Sequence, residues 1–121
     1  DSRQSRGLGD VYKRQKISSG NSFVNETETQ VILGGSYDVG FTMDLVNKDI
    51  NLFNKLGKNI KLELGNYLSK KFKLGMKILG ERSFSTSIIK LIEKDAKIRL
   101  RAKNFPKQLI DKQKKQKGVE V

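Results

Sequence analysis

Residues 31–45, VILGGSYDVGFTMDL, decide how the rest of the chain is read. Every second residue from Val31 (Val31, Leu33, Gly35, Tyr37, Val39, Phe41, Met43, Leu45) is uncharged, and those between are mostly small or polar, Asp38 and Asp44 among them. A period of two predicts a strand with one apolar and one wet face. On a helix, at about 100° per residue, the two aspartates would fall into the apolar stripe. The run is also long, since strands in soluble domains usually span about 5–6 residues. The expectation is a long, two-faced β-strand.

The period returns downstream. In residues 60–78, IKLELGNYLSKKFKLGMKI, Ile60, Leu62, Leu64 and Leu68 precede Ser69-Lys70, and Phe72, Leu74, Met76 and Ile78 follow. Two alternating runs around a few polar residues predict a β-hairpin. Residues 96–103, AKIRLRAK, set Ala96, Ile98, Leu100 and Ala102 against Lys97, Arg99, Arg101 and Lys103, a strand with one fully basic face. Residues 46–59 read as a long loop, although Ile50, Leu52, Phe53 and Leu56 could form one helical turn. The chain reverses around Gly80. Residues 83–92 stay open between a strand, favoured by Ile88, Ile89 and Ile92, and a helix capped by Ser85 or Ser87. Glu93, Lys94 and Asp95 form a tight polar turn, and Pro106 ends the last strand.

Composition narrows the chemistry. At 121 residues the chain is at most one domain. With 25 Lys and Arg against 13 Asp and Glu, a formal +12, it permits an anionic partner without choosing one. Histidine and cysteine are both missing, which excludes thiolate chemistry, a disulfide frame and His-ligated zinc. No run of about 18 apolar residues offers a membrane-spanning helix, and no signal-peptide pattern is present. Asp38 and Asp44 on one strand would stand about 20 Å apart, too far for paired carboxylates, which work at about 5–10 Å. Gly34, Gly35 and Gly40 lack the strand-to-helix setting of a phosphate loop and read as relief of strand curvature. The reading is of no enzyme and no cofactor.

The opening DSRQSRGLGDVYKRQ resembles translated sequencing-adapter read-through, which makes residues 1–15 an artefactual leader and the rest a fragment. Residues 16–30 read as a loop, 31–105 as antiparallel strands, and 106–121, with DKQKKQKG, as a basic disordered tail.

The dyad runs at 31–45, 60–78 and 96–103, joined by alternately long and short connections, resemble fragments of bacterial outer-membrane β-barrels of the autotransporter or translocator type. The resemblance implies an all-β antiparallel meander in a transmembrane barrel, with a pore or translocator role in the outer membrane. Its partners would be membrane lipid and an anionic solute or passenger segment. It turns Asp38, Asp44, Lys61, Glu63, Lys73, Lys77, Lys97, Arg99, Arg101 and Lys103 toward the lumen, and Val39, Phe41, Leu62, Leu64, Leu74, Met76, Ile98 and Leu100 toward lipid. The chain departs from that family in ending Val119-Glu120-Val121 without a terminal aromatic residue, and its aromatic girdles are thin. The second reading is a soluble, cytoplasmic, basic β-sheet protein binding nucleic acid or a protein partner.

Overall fold

The stretch at 31–45 is shared by two helices and the loop between them. The computed structural model describes residues 2–110, and among these it holds five α-helices and one 3-10 turn. They are α1 (Ser2–Lys16), α2 (Phe23–Gly34), α3 (Met43–Leu56), α4 (Glu63–Leu79), the turn Ser85–Ile88, and α5 (Ile89–Ala96). The one β-type pairing among the described residues is an antiparallel bridge between Thr42 and Phe84. The all-β meander, the barrel and the soluble β-sheet alternative are therefore all corrected to an all-helical fold.

Local chemistry explains why α2 forms. Ser22 is an extended N-cap whose hydroxyl accepts a bond from the Asn25 N–H at 3.0 Å, satisfying one orphan donor of the first turn. The helix ends where Gly35 takes φ 84°, a left-handed conformation that costs glycine nothing, and its N–H bonds back to Val31 O and Ile32 O. The two glycines thus terminate a helix instead of bending a strand. Val31 and Leu33 lie about 200° apart on a helix, yet both are buried. α2 has neighbours on more than one side, namely α1, the 3-10 turn and the returning C-terminal segment. Burial on opposite sides of a sandwiched helix imitates a period of two.

The expected hairpin at 60–78 is one helix, α4, running straight through Ser69-Lys70, and the expected loop at 46–59 is mostly α3. α3 and α4 pack as a helical hairpin. Along α4 the less exposed positions are Gly65, Ser69, Phe72, Gly75, Met76 and Leu79, which with the N-cap residue Leu62 form one stripe at helical spacing. Gly65 and Gly75 allow close approach: a Cβ at Gly75 would lie 2.5 Å from Ile88 Cδ1 and 3.0 Å from Met43 Sδ. Met43 is fully buried there, and its N–H bonds to Ser83 O at 2.9 Å. Gly80, at φ 101°, ends α4 at the expected reversal.

Within the open segment 83–92, Ser83 is a bend and Phe84 forms the bridge to Thr42, and the chain is helical from Ser85 onward, with no hydroxyl cap from Ser85 or Ser87. Residues 96–103 are not a sheet strand. Ala96 ends α5, Lys97 caps it at φ 53°, and the extended chain beyond has no strand partner. That chain returns along α2, with Ala102 N–H bonded to Leu33 O at 3.1 Å. Phe105 meets Tyr12 of α1 edge-on, ring centroids 5.3 Å apart, and Tyr12, which is buried, donates to Glu26 O at 2.7 Å. Residues 2–16 are thus helical, and the segment expected as a loop contains the first turns of α2. The basic run from 111 onward lies outside the described residues.

Candidate functional site

The expected lumen and lipid sets do not form two faces. In the first set, Asp38 accepts from Gly40 N–H at 3.2 Å in the loop before α3. Asp44, in the first turn of α3, pairs with Arg82 at 3.1 Å and accepts from the Thr42 hydroxyl. Lys61 pairs with Glu63 at 2.8 Å. Lys73 and Lys77 are exposed on α4, Lys97 and Arg99 line a cleft beside α5, Lys103 is exposed, and Arg101 turns inward to Glu93. In the second set, Val39 and Phe41 lie in the loop before α3, and Leu62 and Met76 are half-buried on α4's contact stripe. Leu64 and Leu74 are exposed, and Ile98 and Leu100 belong to the returning segment. The strand parity that defined both sets does not exist.

What the fold builds instead is a hairpin with two unlike sides. Because α3 and α4 run antiparallel, helical geometry puts Lys48, Lys55, Lys70, Lys73 and Lys77 on one side and Phe53, Leu64 and Leu68 on the other. The basic side is exposed. The apolar side is covered by the 3-10 turn near Gly75 and Met43, but toward the hairpin tip it stands bare. Phe53 is 59 %, Leu64 71 % and neighbouring Tyr67 56 % exposed. Within the hairpin the pattern is inverted. Asn47, Asn51 and Asn54 of α3 are turned toward α4, while Leu52 and Leu56 are turned out. Asn51 accepts from the Ser69 hydroxyl at 3.2 Å, whereas the side-chain oxygens of Asn47 and Asn54 are buried without a partner among the described residues.

A second constellation sits where α5 meets the loop after α2. Tyr37 is buried at φ 57° and donates its phenol proton to Glu93 Oε2 at 2.7 Å. The Thr86 hydroxyl donates to Tyr37 O at 2.7 Å. Glu93 Oε1 accepts from the Leu100 N–H at 2.7 Å and from Arg101 Nη1 at 3.1 Å. Arg101 and Lys90 both lie against the Tyr37 ring, at 5.0 Å and 4.6 Å. Burial, then the bond to Glu93, pushes the Tyr37 phenol above its ordinary range, with Arg101 opposing. The sequence reading placed Glu93 in a polar turn. Its signal is visible only once the segment is helical, where Ile89 and Glu93 fall on one side, four residues apart.

A raised folded pKa contributes stability that is complete below the unfolded value, about 10, and is lost as pH rises through the folded value. The wild-type unfolding free energy should therefore fall more steeply above about pH 10 than that of Tyr37→Phe, which has no phenol to ionise. Parallel curves from denaturant melts across that range would show that Tyr37 carries no such linkage.

No known protein family, curated protein or solved structure matches the chain.

Proposed function

We propose that the chain is a non-catalytic helical docking module, binding an amphipathic helix of a partner protein against the apolar side of the α3–α4 hairpin. One observation carries the reading: α3 turns its asparagines toward α4, while on the side of Phe53, Leu64 and Leu68 the hairpin leaves Phe53 and Leu64 bare toward its tip. Large contiguous apolar exposure marks an interaction surface, and a helix laid on such a face is a recurring recognition mode. The occupant would extend the layer that the 3-10 turn begins over Gly75.

Charge narrows the occupant to a helix with acidic flanks. Lys71, poised 5.4 Å from the Tyr67 ring, borders the patch. A second copy would bring one +12 chain against another. A bilayer fits less well, because interfacial helices carry their cations beside the apolar stripe, and here most of the hairpin's lysines face the opposite way.

The test uses a soluble helical peptide with leucines at i, i+3, i+4 and i+7 and glutamates on its flanks, beside scrambled and lysine-flanked versions. The glutamate-flanked peptide should bind, and Leu64→Asp should weaken it at least about tenfold, a loss of roughly 1.4 kcal/mol. Lys73→Gln should change affinity less than about twofold, as a residue outside the contact. Equal binding of the scrambled peptide, binding to anionic vesicles instead, or self-association abolished by Leu64→Asp would each overturn the reading.

A further inference from the structure

We infer that the cleft beside the C-terminal end of α5 is a binding site for a compact oligophosphate, the di- or triphosphate group of a small molecule. The cleft is a shallow, open depression of ≈ 380 Å³ lined by Lys90, Glu93, Lys94, Lys97, Ile98 and Arg99. Four of these six are cations and one is an acid. That acid does not neutralise them. Glu93 is already saturated by the Tyr37 phenol, the Leu100 N–H and the Arg101 guanidinium, all between 2.7 and 3.1 Å. That negative charge is held by residues outside the cleft, and Lys94, Lys97 and Arg99 are left over, while Lys90 lies against the Tyr37 ring at 4.6 Å. Lys94, Lys97 and Arg99 have no carboxylate partner among the described residues.

The ordinary explanation for basic residues here is the helix C-terminus, whose partial charge of about −0.5 attracts cations. Four positive charges exceed that several-fold, and lysines at that density repel one another unless an anion sits between them. Backbone geometry holds the arrangement. Lys97 at φ 53° ends α5 with its N–H bonded to Lys94 O at 3.2 Å, and Ile98 N–H to Glu93 O at 3.0 Å. The returning chain is thereby folded back, so Lys97 and Arg99 line the same depression as Lys90 and Lys94.

Shape decides which anion. Ligand pockets usually range from about 300 to 1,000 Å³, so the cleft has room for more than one phosphoryl group. A nucleic-acid strand would need a basic track and aromatic platforms for its bases. The candidate track is broken where Arg101 turns inward to Glu93, and the nearby aromatic, Tyr37, is only 2 % exposed. Several phosphoryl charges meeting several cations in one hollow is the arrangement that charge-assisted bonds favour.

The experiment titrates the full chain with inorganic triphosphate at an ionic strength of about 0.15 M, where exposed charges more than about 8 Å apart are largely screened from one another. Binding is read by calorimetry and by backbone amide shifts. Two double variants remove the same net charge: Lys94→Gln with Arg99→Gln in the cleft, and Lys70→Gln with Lys73→Gln on α4. The expected result is saturable binding, with shifts centred on Lys97, Ile98 and Arg99. The cleft pair should weaken it at least about tenfold, the α4 pair less than about twofold. Equal weakening by both pairs, or absence of binding, would overturn the inference. So would sulfate binding as well as triphosphate, or tighter binding of a single-stranded oligonucleotide with shifts spread to α4. The peptide contact at Phe53 and Leu64 is a separate surface, so either proposal can fail without the other.

Discussion

Met43→Ala is expected to lower the unfolding free energy by about 3 kcal/mol, within the range of about 2–5 for truncating a buried Met or Leu. Met43 has no solvent exposure. It opens α3, it lies against Gly75 of α4, and its N–H is tied to Ser83 O. Its sulfur and Ile88 Cδ1 of the 3-10 turn both lie over Gly75, where the hairpin and the turn meet. Truncation would leave a hole that Gly75, having no side chain, cannot fill. The sulfur and methyl lost there lie over Gly75, so local collapse would have to move α4. The contrast is Leu64→Ala, which removes a larger exposed area but should stay within about 0.5 kcal/mol, as surface substitutions do. Urea melts with an unchanged denaturant slope provide the measurement. A loss below about 1 kcal/mol for Met43→Ala would mean that the site relaxes freely and that the hairpin is fastened elsewhere.

The same residues show why the sequence pointed to the wrong fold. Alternation at 60–78 is present, but it comes from a helix with two apolar stripes. One stripe, Leu62, Phe72, Met76 and Leu79, meets α3, and the other, Leu64, Leu68 and Ile78, is bare. The helical spacing of the first stripe is completed by Gly65 and Ser69, which a count of apolar residues does not register. On α3 the contact positions are Asn47, Asn51 and Asn54, spaced four and three apart and polar, so the helix looked like a loop. Gly34-Gly35 was equally ambiguous. The pair reads as a strand kink or as a helix end, and only the neighbours of α2 decide. The alternation at 96–103 belongs to no strand: Ala96 ends α5, Lys97 is left-handed at φ 53°, and the chain beyond joins no sheet. By contrast, the reversal at Gly80 was legible, because a positive φ there needs glycine whatever precedes it. Of the site residues, the surplus of cations around 97–103 was visible in the sequence. Their division into Arg101, paired inside, and Lys97 and Arg99, left outside, depends on Glu93 and Tyr37, which lie 56 residues apart in the chain.

Glu93→Ala is expected to cost about 3 kcal/mol. Removing one partner of a buried pair costs about 3–5 kcal/mol because the other partner is left uncompensated. The low end applies, since the Arg101 side chain retains 36 % exposure and can reach water, whereas that of Glu93 has 9 %. Two further donors are stranded. The Tyr37 phenol is buried, and the Leu100 N–H loses the acceptor that ties the returning chain to α5. Each unsatisfied buried donor costs about 1–3 kcal/mol. These losses overlap, because all three donors converge on one carboxylate, so they should not be added. Glu93→Gln separates charge from hydrogen bonding. Its amide oxygen can still accept from one donor, and the cost should fall to about 1–2 kcal/mol. A double-mutant cycle with Tyr37→Phe should then show a coupling of about 1 kcal/mol or more, as contacting residues in one network do. Amide exchange gives the independent check: in Glu93→Ala the Leu100 N–H should lose protection while Met43 N–H, held by Ser83 O, keeps it. If Leu100 stays protected, or the cycle closes without coupling, the carboxylate is not what fastens the returning chain, and packing of Phe105 on Tyr12 would have to hold it instead.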